Sequence, residues 1–570
     1  MSKPRESLVM TGSDKADIAQ KKDKKNPAEE AFKTEKHPLD CWENILGFAR
    51  NGSGPPDKAW SFRLRWFGLF WEGPRSDTFM LRLKVNGGQI SAAQLRGIAD
   101  LTDACALPFL NVTTRQGIQI RGIPVAHVPP IFKELEALGL TSMQSGADNV
   151  RNLTACAQAG IAPNEIADVS ALARTLKTLF VGNRAFADLP RKFNISLAGC
   201  GTNCTHPELH DIAVQAVRDG AGDAVGYGIR VGGQPSTSHF VSQDLEVLLT
   251  EEEVPEVCAA IVAVYRDHGD RTNRKQARMG HLLEKWGMPR FRESVEHALG
   301  RPLPRHISDA AIREQEQDPI GIHPQKQDGL SFVGLPFPVG KVTVDQARAL
   351  ARLSEEFGSG ELRTSNRQNI LLINIPNERL DHLTAELDRA GIPYGGSPLQ
   401  AAMTACSGNT YCKLATVETK NRVVNIVESL EREGLDKDPL NIALSACPNT
   451  CANHSVADIG LQGCKIKVDG ETVEAFHVFF GGGTGDSTAF GKHALRRIPG
   501  DRINAQLAYA VRVYRKRRQG DESFKSFCER YTAEEMALLF KPWTYPTSRP
   551  VRWLAERIAR IGGDELSTYV

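Results

Sequence analysis

Apolar and polar residues alternate along this chain in two rhythms. TFMLRLKV at 78 to 85 and SFVGLPFPV at 331 to 339 read as strands, and each is followed by a segment of helical period, SAAQLRGIADLTDACA at 91 to 106 and TVDQARALARLSEEFG at 343 to 358. NVTTRQGIQIRGIP at 111 to 124 and LRTSNRQNILLINIP at 362 to 376 alternate apolar and polar positions after an Arg-Gln pair, as a half-buried strand does. The predicted unit is strand, helix, strand and a longer helix. That succession points to an α+β protein and away from all-helical or all-β architectures.

The unit occurs twice, at a period of about 250 residues, which is too long for a solenoid and fits a duplicated pair of domains. Besides the Arg-Gln strands, LTACAQAG at 153 to 160 is echoed by MTACSGNT at 403 to 410, and NISLAGCGTNC at 194 to 204 by NIALSACPNTC at 441 to 451. Three echoes in one order at similar offsets mark a true internal repeat.

Composition narrows the class. A chain of 570 residues exceeds one hydrophobic core, and its 41% hydrophobic and 24% charged residues are those of a globular protein. No run of about 18 apolar residues is present, which predicts no membrane span, and the first residues lack the apolar core of a signal peptide, which predicts a cytoplasmic protein. Seventy basic against 68 acidic residues argue against nucleic acid as a partner. Residues 1 to 40, with KKDKK at 21 to 25, read as a disordered charged tail. Twelve cysteines without a signal peptide suggest reduced thiols or metal ligands; Cys41, Cys105, Cys258, Cys464 and Cys528 read as ordinary small residues.

Four cysteines stand apart. Cys406 and Cys412 enclose five residues, and Cys447 and Cys451 enclose three, so two close pairs form a candidate metal or cluster set. Structural zinc favours spacings of two to four residues, whereas an iron-sulfur cubane tolerates wider loops. Ser407, Gly408, Pro448 and Thr450 are small enough to let backbone amides approach the cluster. The first half keeps Cys156, Cys200 and Cys204 but has Ala162 opposite Cys412, so one ligand is missing there. These three are expected to pack as small apolar relics, with His206 a minor candidate for the fourth ligand.

TTRQGIQIRG, NVRN, LPRKFN, CGTNCTHPE, TACSGNTYCK and ACPNTC together resemble the siroheme-containing nitrite and sulfite reductases, in particular the ferredoxin-dependent assimilatory type, over residues of about 60 to 500. The resemblance implies a pseudo-twofold duplicated α+β fold in which two ferredoxin-like half-domains pair and two α/β domains hold the cofactors. On this chain that means a tail at 1–40, a first half-domain at 41–135, a first cofactor domain at 136–320, a second half-domain at 321–396, and at 397–570 a second cofactor domain carrying one 4Fe-4S cluster. It also implies siroheme, with Cys406, Cys412, Cys447 and Cys451 as cluster ligands and Cys451 as the bridge to siroheme iron.

Carried over motif by motif, the substrate pocket comprises Arg82, Arg151, Lys192 and Asn194, and the siroheme cradle Arg115, Gln119, Arg121, Arg191 and Asn449. Arg115, Gln119 and Arg121 sit at alternate positions of one expected strand, and Lys192 and Asn194 on one side of an extended segment. Asn111 has an open role, and GGGTG at 481 to 485 is either a cofactor-adjacent stretch or a tight turn rather than a dinucleotide fingerprint. A lysine crowded by cations has a lowered pKa and can deliver a proton.

The resemblance implies six-electron reduction of nitrite to ammonia, with reduced ferredoxin or flavodoxin as donor to a monomeric enzyme. No segment reads as a flavin or nicotinamide domain, and RKRR at 515 to 518 is a candidate docking patch for the donor. A neutral amide at Asn194 suits the monoanion nitrite better than the dianion sulfite. Sulfite reduction, a non-catalytic iron-sulfur carrier and a corrin-pathway oxygenase are the alternatives.

Overall fold

A computed structural model of the chain describes residues 27–72, 77–218, 225–306, 318–485 and 487–541. The first half contributes strands β1 (Leu69–Trp71), β2 (Thr78–Leu83), β3 (Gln89–Ser91), β4 (Phe109–Val112), β5 (Ile118–Pro124), β6 (Thr154–Ala155), β7 (Ile195–Ala198), β8 (Ile212–Arg218), β9 (Val225–Val231) and β10 (Gln243–Asp244). The second half repeats them as β11 (Gly321–Pro324), β12 (Leu330–Leu335), β13 (Lys341–Thr343), β14 (Glu361–Thr364), β15 (Ile370–Pro376), β16 (Thr404–Ala405), β17 (Ile442–Ser445), β18 (Ile459–Val468), β19 (Glu471–Phe480) and β20 (Lys492–Pro499).

These strands make four sheets, and the repeat is visible in their order. Two are antiparallel, β1-β2-β5-β4-β13 and β11-β12-β15-β14-β3, so each half lends its third strand to the other half's sheet. Val342 lies opposite Leu110, and Leu362 opposite Ile90. The other two are mixed, β10-β9-β8-β7-β6 and β16-β17-β18-β19-β20, with the first three strands of each in sequence running parallel.

Local chemistry places the exchanged strands. Ser91 ends β3 and caps the helix Ala92–Cys105 through a capping box with Gln94; Thr343 ends β13 and caps Val344–Phe357 in the same way with Gln346. Both helices fall where their periodicity predicted them, and they pack against each other. One hydrophobic core joins the two half-domains, with Leu81 and Ile120 from one and Leu335, Leu362 and Leu372 from the other, while each larger domain has a core of its own.

Two expectations are corrected by burial and turn geometry. Instead of being half-buried, β5 and β15 are buried at most positions, because one face meets the helices and the other packs against the larger domains, Arg121 on Ser407 and Leu371 and Ile373 on Ile161. Moreover, β5 begins only at Ile118. Arg115 therefore lies in the preceding turn, closed by Thr113 and Gly117, and not on the strand that carries Gln119 and Arg121.

The disordered tail is also corrected over its last residues. Ala28–Glu35 is a helix, followed by a 3-10 turn at Pro38–Asp40. Its Lys33 is buried, donates 2.9 Å to the carbonyl of Leu189 and pairs with Glu30 and Asp188, while Arg271 reaches Glu30 at 2.8 Å. The mixed charges that suggested disorder supply complementary partners here. Residues 1–26, KKDKK among them, lie outside the described residues.

Candidate active site

Parallel pairing explains how cysteines distant in sequence meet. β16 and β17 run side by side, joined by the crossover helix Lys420–Arg432, so the residues leaving their ends, Cys406 and Cys447, emerge at the same edge of the sheet. The amide of Ala446 donates 3.2 Å to Cys406 Sγ, the Asn449 side chain 3.4 Å to Cys447 Sγ, and Gly408 at φ +65° starts the short helix that returns the chain to Cys412. From the first half, Thr114 donates 3.0 Å to the carbonyl of Cys451. Among the described residues no group of three or more His, Cys, Asp or Glu is placed to hold a single metal ion. The four thiols nevertheless lie within electrostatic reach of one another, Cys451 acting on both Cys406 and Cys447, and Cys412 on Cys447.

The counterpart site in the first half is filled. Asn366 donates to the carbonyl of Cys204 at 3.1 Å, as Thr114 does to Cys451. Behind it, Ile161, Phe332, Leu371 and Ile373 form an apolar plug against Ala157. At the positions matching Leu371 and Ile373 the first half has Gln119 and Arg121, and Arg121 bonds Ser407 at 2.7 Å beside Cys406. One face of the duplicate is thus polar toward the four-cysteine set and the other apolar where a cysteine is absent. The three remaining thiols do more than pack: Cys200 accepts hydrogen bonds from Cys156 and Cys204, which pulls its pKa down and pushes theirs up.

Cations gather near Cys451. Arg82, Arg115, Arg151 and Lys192 keep part of their surface exposed, yet all are deep enough that desolvation lowers their pKa, Arg82 to about 10 and Lys192 well below its ordinary value. Lys192 is further depressed by Arg278, Arg115 and Arg151 and partly restored by Cys451, so these groups face a common space. Arg151 is held by the carbonyls of Ala147 at 2.9 Å and Ser145 at 3.1 Å; Arg82 shares Ser145 at 3.4 Å and lies 4.5 Å over the Phe70 ring. Asn194 is tied to Asp211 by its backbone amide at 2.8 Å and by its side chain at 3.3 Å.

The remaining sequence candidates are more widely distributed. Arg121 is buried, bonded to Glu72, Gln119 and Ser407, and stacked 4.5 Å over Tyr411, which puts it on the cluster side rather than free toward the cations. Arg191 leans 3.6 Å toward Asp148. Asn111 accepts a bond from Lys420, whose pKa burial lowers to about 7. In GGGTG, Gly481 has φ +75° and its amide donates to the carbonyl of Asp458, which extends the β18–β19 pairing by one step, and Gly483 bridges Ala489, so the stretch continues the sheet edge and is not a tight turn.

Several functional-looking residues escaped the motifs. Arg278 grips Asp211 with both ends of its guanidinium at 2.8 to 3.3 Å, and Arg274 makes a bidentate pair with Asp148. Both come from RTNRKQAR at 271 to 278, a basic run that could have been noticed. Lys84, two residues beyond Arg82, is buried and donates to the carbonyls of Val150 at 3.3 Å and Arg151 at 3.2 Å; desolvation brings its pKa to about 7.

These features define a duplicated α+β fold with one four-cysteine set and one cationic pocket among the described residues. The family model described as the nitrite and sulphite reductase 4Fe-4S domain matches residues 146–303 and 399–541, and the nitrite/sulfite reductase ferredoxin-like half domain matches 73–138 and 323–390. The chain belongs to this nitrite and sulphite reductase family. It is 37% identical to a ferredoxin-nitrite reductase of Synechococcus elongatus over 82% of this chain and 93% of that one, and 38% identical to the chloroplastic ferredoxin-nitrite reductase of Zea mays over 77% and 79%. The solved structure of the Mycobacterium tuberculosis NirA protein superposes with a TM-score of 0.85 at 30% identity, covering 91% of this chain and 99% of that one.

Proposed function

We propose that this protein is a ferredoxin-dependent assimilatory nitrite reductase, holding siroheme beside one 4Fe-4S cluster and acting in the cytoplasm as a monomer. The observation that carries this is the convergence of Arg82, Arg115, Arg151 and Lys192 on the Cys451 end of the cysteine set. Among the described residues the side chains of Arg115 and Lys192 make no hydrogen bond or ion pair, and Arg82 Nε is buried without a partner. Cations so deep and unpaired fit a bound polyanion such as a ring bearing many carboxylates. Cys406, Cys412, Cys447 and Cys451 would hold the cluster, with Cys451 shared, and Arg115, Gln119, Arg191 and Asn449 would border the macrocycle. No helix among the described residues is long and apolar enough to cross a membrane.

Siroheme and cluster, when bound, supply the iron that takes the anion and the electrons that reduce it; nitrite, six electrons and eight protons give ammonium and two waters. The chain supplies the rest. Arg82 and Arg151 are guanidinium groups, fixed through the shared Ser145 carbonyl and suited to hold nitrite oxygens and oppose their growing negative charge. Lys192 has its pKa lowered by burial and by neighbouring cations, so it gives up a proton at pH values where a free lysine does not. Asn194, neutral and tethered to Asp211, keeps the pocket's charge suited to a monoanion.

An absorption spectrum of the purified protein tests this reading. Siroheme bands that shift on adding nitrite are expected; a plain cluster spectrum indifferent to nitrite would replace the reductase with an electron carrier.

A further inference from the structure

Several basic side chains read from the sequence have their charge offset within the fold: Arg121 pairs with Glu72 at 3.2 Å, and Arg515 and Arg518 of RKRR both pair with Asp438. Lys420, on the Cys406 side of the cysteine set, has no ion-pair partner among the described residues. Its ammonium donates instead to two neutral oxygens, the Asn111 side chain and the carbonyl of Val339 at 2.6 Å.

The position works against the helix it opens. Lys420 is the first residue of Lys420–Arg432, where the positive end of the helix dipole disfavours a cation. Glu418 does not answer that charge by pairing: its carboxylate accepts from the amides of Asn421 at 3.0 Å and Arg422 at 2.9 Å, two of the helix's free donors. Thr419, between them, donates its hydroxyl to the carbonyl of Cys406 at 2.7 Å, so the turn that carries Lys420 also holds Cys406. The two acceptors come from elsewhere, Asn111 from β4 of the first half and Val339 from the turn Pro338–Gly340 before β13. Lys420 is thereby fixed where both half-domains meet the cysteine-bearing domain. Desolvation bears on it first, Arg121 and Lys341 oppose its charge, and Cys406 and Glu418 favour it. A desolvated cation without a paired carboxylate costs stability unless a negative group lies near it.

We propose that Lys420 sets the reduction potential of the cluster, its ammonium favouring the reduced state over the oxidised one. The inference rests on the reductase reading above, in which Cys406, Cys412, Cys447 and Cys451 hold a 4Fe-4S cluster, and adds which residue tunes it. Reduction delivers one electron and neither makes nor breaks a bond. The cluster with its four thiolates gains one unit of negative charge, and a fixed cation in surroundings of low polarity stabilises the more negative form. Asn111 and Val339, being neutral acceptors, orient the ammonium without cancelling its charge.

The test is an anaerobic dithionite titration of holoenzyme, with the cluster followed by electron paramagnetic resonance and the fold by its denaturant midpoint. Lys420→Gln can still donate to Asn111 and Val339 but carries no charge, whereas Lys420→Arg keeps the charge. Lys420→Gln and Lys420→Met are each expected to make cluster reduction about tenfold less favourable, a midpoint about 59 mV lower for one electron. Lys420→Arg should lie nearer to wild type than to Lys420→Gln. The shift in Lys420→Gln should persist at high salt, because a charge at this depth is poorly screened. A wild-type midpoint in Lys420→Gln overturns the proposal, as does an equal shift in Lys420→Gln and Lys420→Arg, which would mark a disturbed structure in place of a lost charge. Loss of iron and acid-labile sulfide from all three variants overturns it too, since Lys420 would then be needed to assemble the cluster and not to tune it. Wild-type protein that takes up no cluster overturns the reductase reading itself.

Discussion

Asp211 governs two neighbours in the cationic pocket at once. It fixes Asn194 through two hydrogen bonds and is itself gripped by Arg278, whose charge helps depress Lys192. Replacing Arg278 with methionine leaves a buried carboxylate unpaired, a loss of about 3–5 kcal/mol that a denaturant midpoint measures. The same change has a kinetic signature. In the proposed role Lys192 would donate a proton only below its depressed pKa; removing a like charge raises that pKa, so the alkaline limb of dye-linked nitrite reduction should move to higher pH. An unmoved limb would remove Lys192 as the proton source. Asn194→Lys should shift the ratio of kcat/KM toward sulfite by about tenfold, or about 1.4 kcal/mol. Cys451→Ser should lose both siroheme bands and acid-labile sulfide, whereas Cys204→Ser should keep both; equal loss in the two would undo the asymmetry between the halves. Cys451 stood out because its spacing and neighbours repeat in NISLAGCGTNC, whereas Arg82 came only from the family resemblance of FMLRLK. Arg278 and Asp211 did neither, since their partnership exists only after two segments 67 residues apart fold together.

At the scale of elements, the exchanged strands join the halves. β3 and β13 are only three residues long, but each completes the other half's sheet and starts a capped helix. Gly340, just before β13, has φ +68°, and a Cβ there would stand 2.3 Å from the carbonyl of Val112; Gly88 meets Thr364 in the same way before β3. Gly340→Ala should therefore cost about 1–3 kcal/mol by chemical denaturation, and a neutral effect would show that this crossing tolerates movement. Leu362→Ala, at a fully buried position of the shared sheet, should cost about 2–5 kcal/mol and lower the stability of both half-domains in one transition. The helices at 92–105 and 344–357 were readable from their period, while their capping boxes emerged only with the fold. The exchange was not readable, because a three-residue strand has too little pattern to name its partner, and the burial of β5 depended on a domain that packs from elsewhere in the chain.

For the whole molecule, duplication followed by divergence gives one working face. The second half provides four cysteines and the first provides the cations around Cys451, while the mirrored site holds Ala162 and the plug of Ile161, Phe332, Leu371 and Ile373. The missing fourth cysteine was readable in the sequence; the plug that occupies its surroundings required the fold. The central claim, that this single face reduces nitrite completely to ammonium, is tested most directly by electron stoichiometry with a calibrated dye reductant and quantified products. The account predicts six electrons consumed per ammonium formed, with nitrite turned over faster than sulfite at equal concentration. Nitric oxide or hydroxylamine accumulating in place of ammonium, or sulfite turning over faster than nitrite, would contradict it.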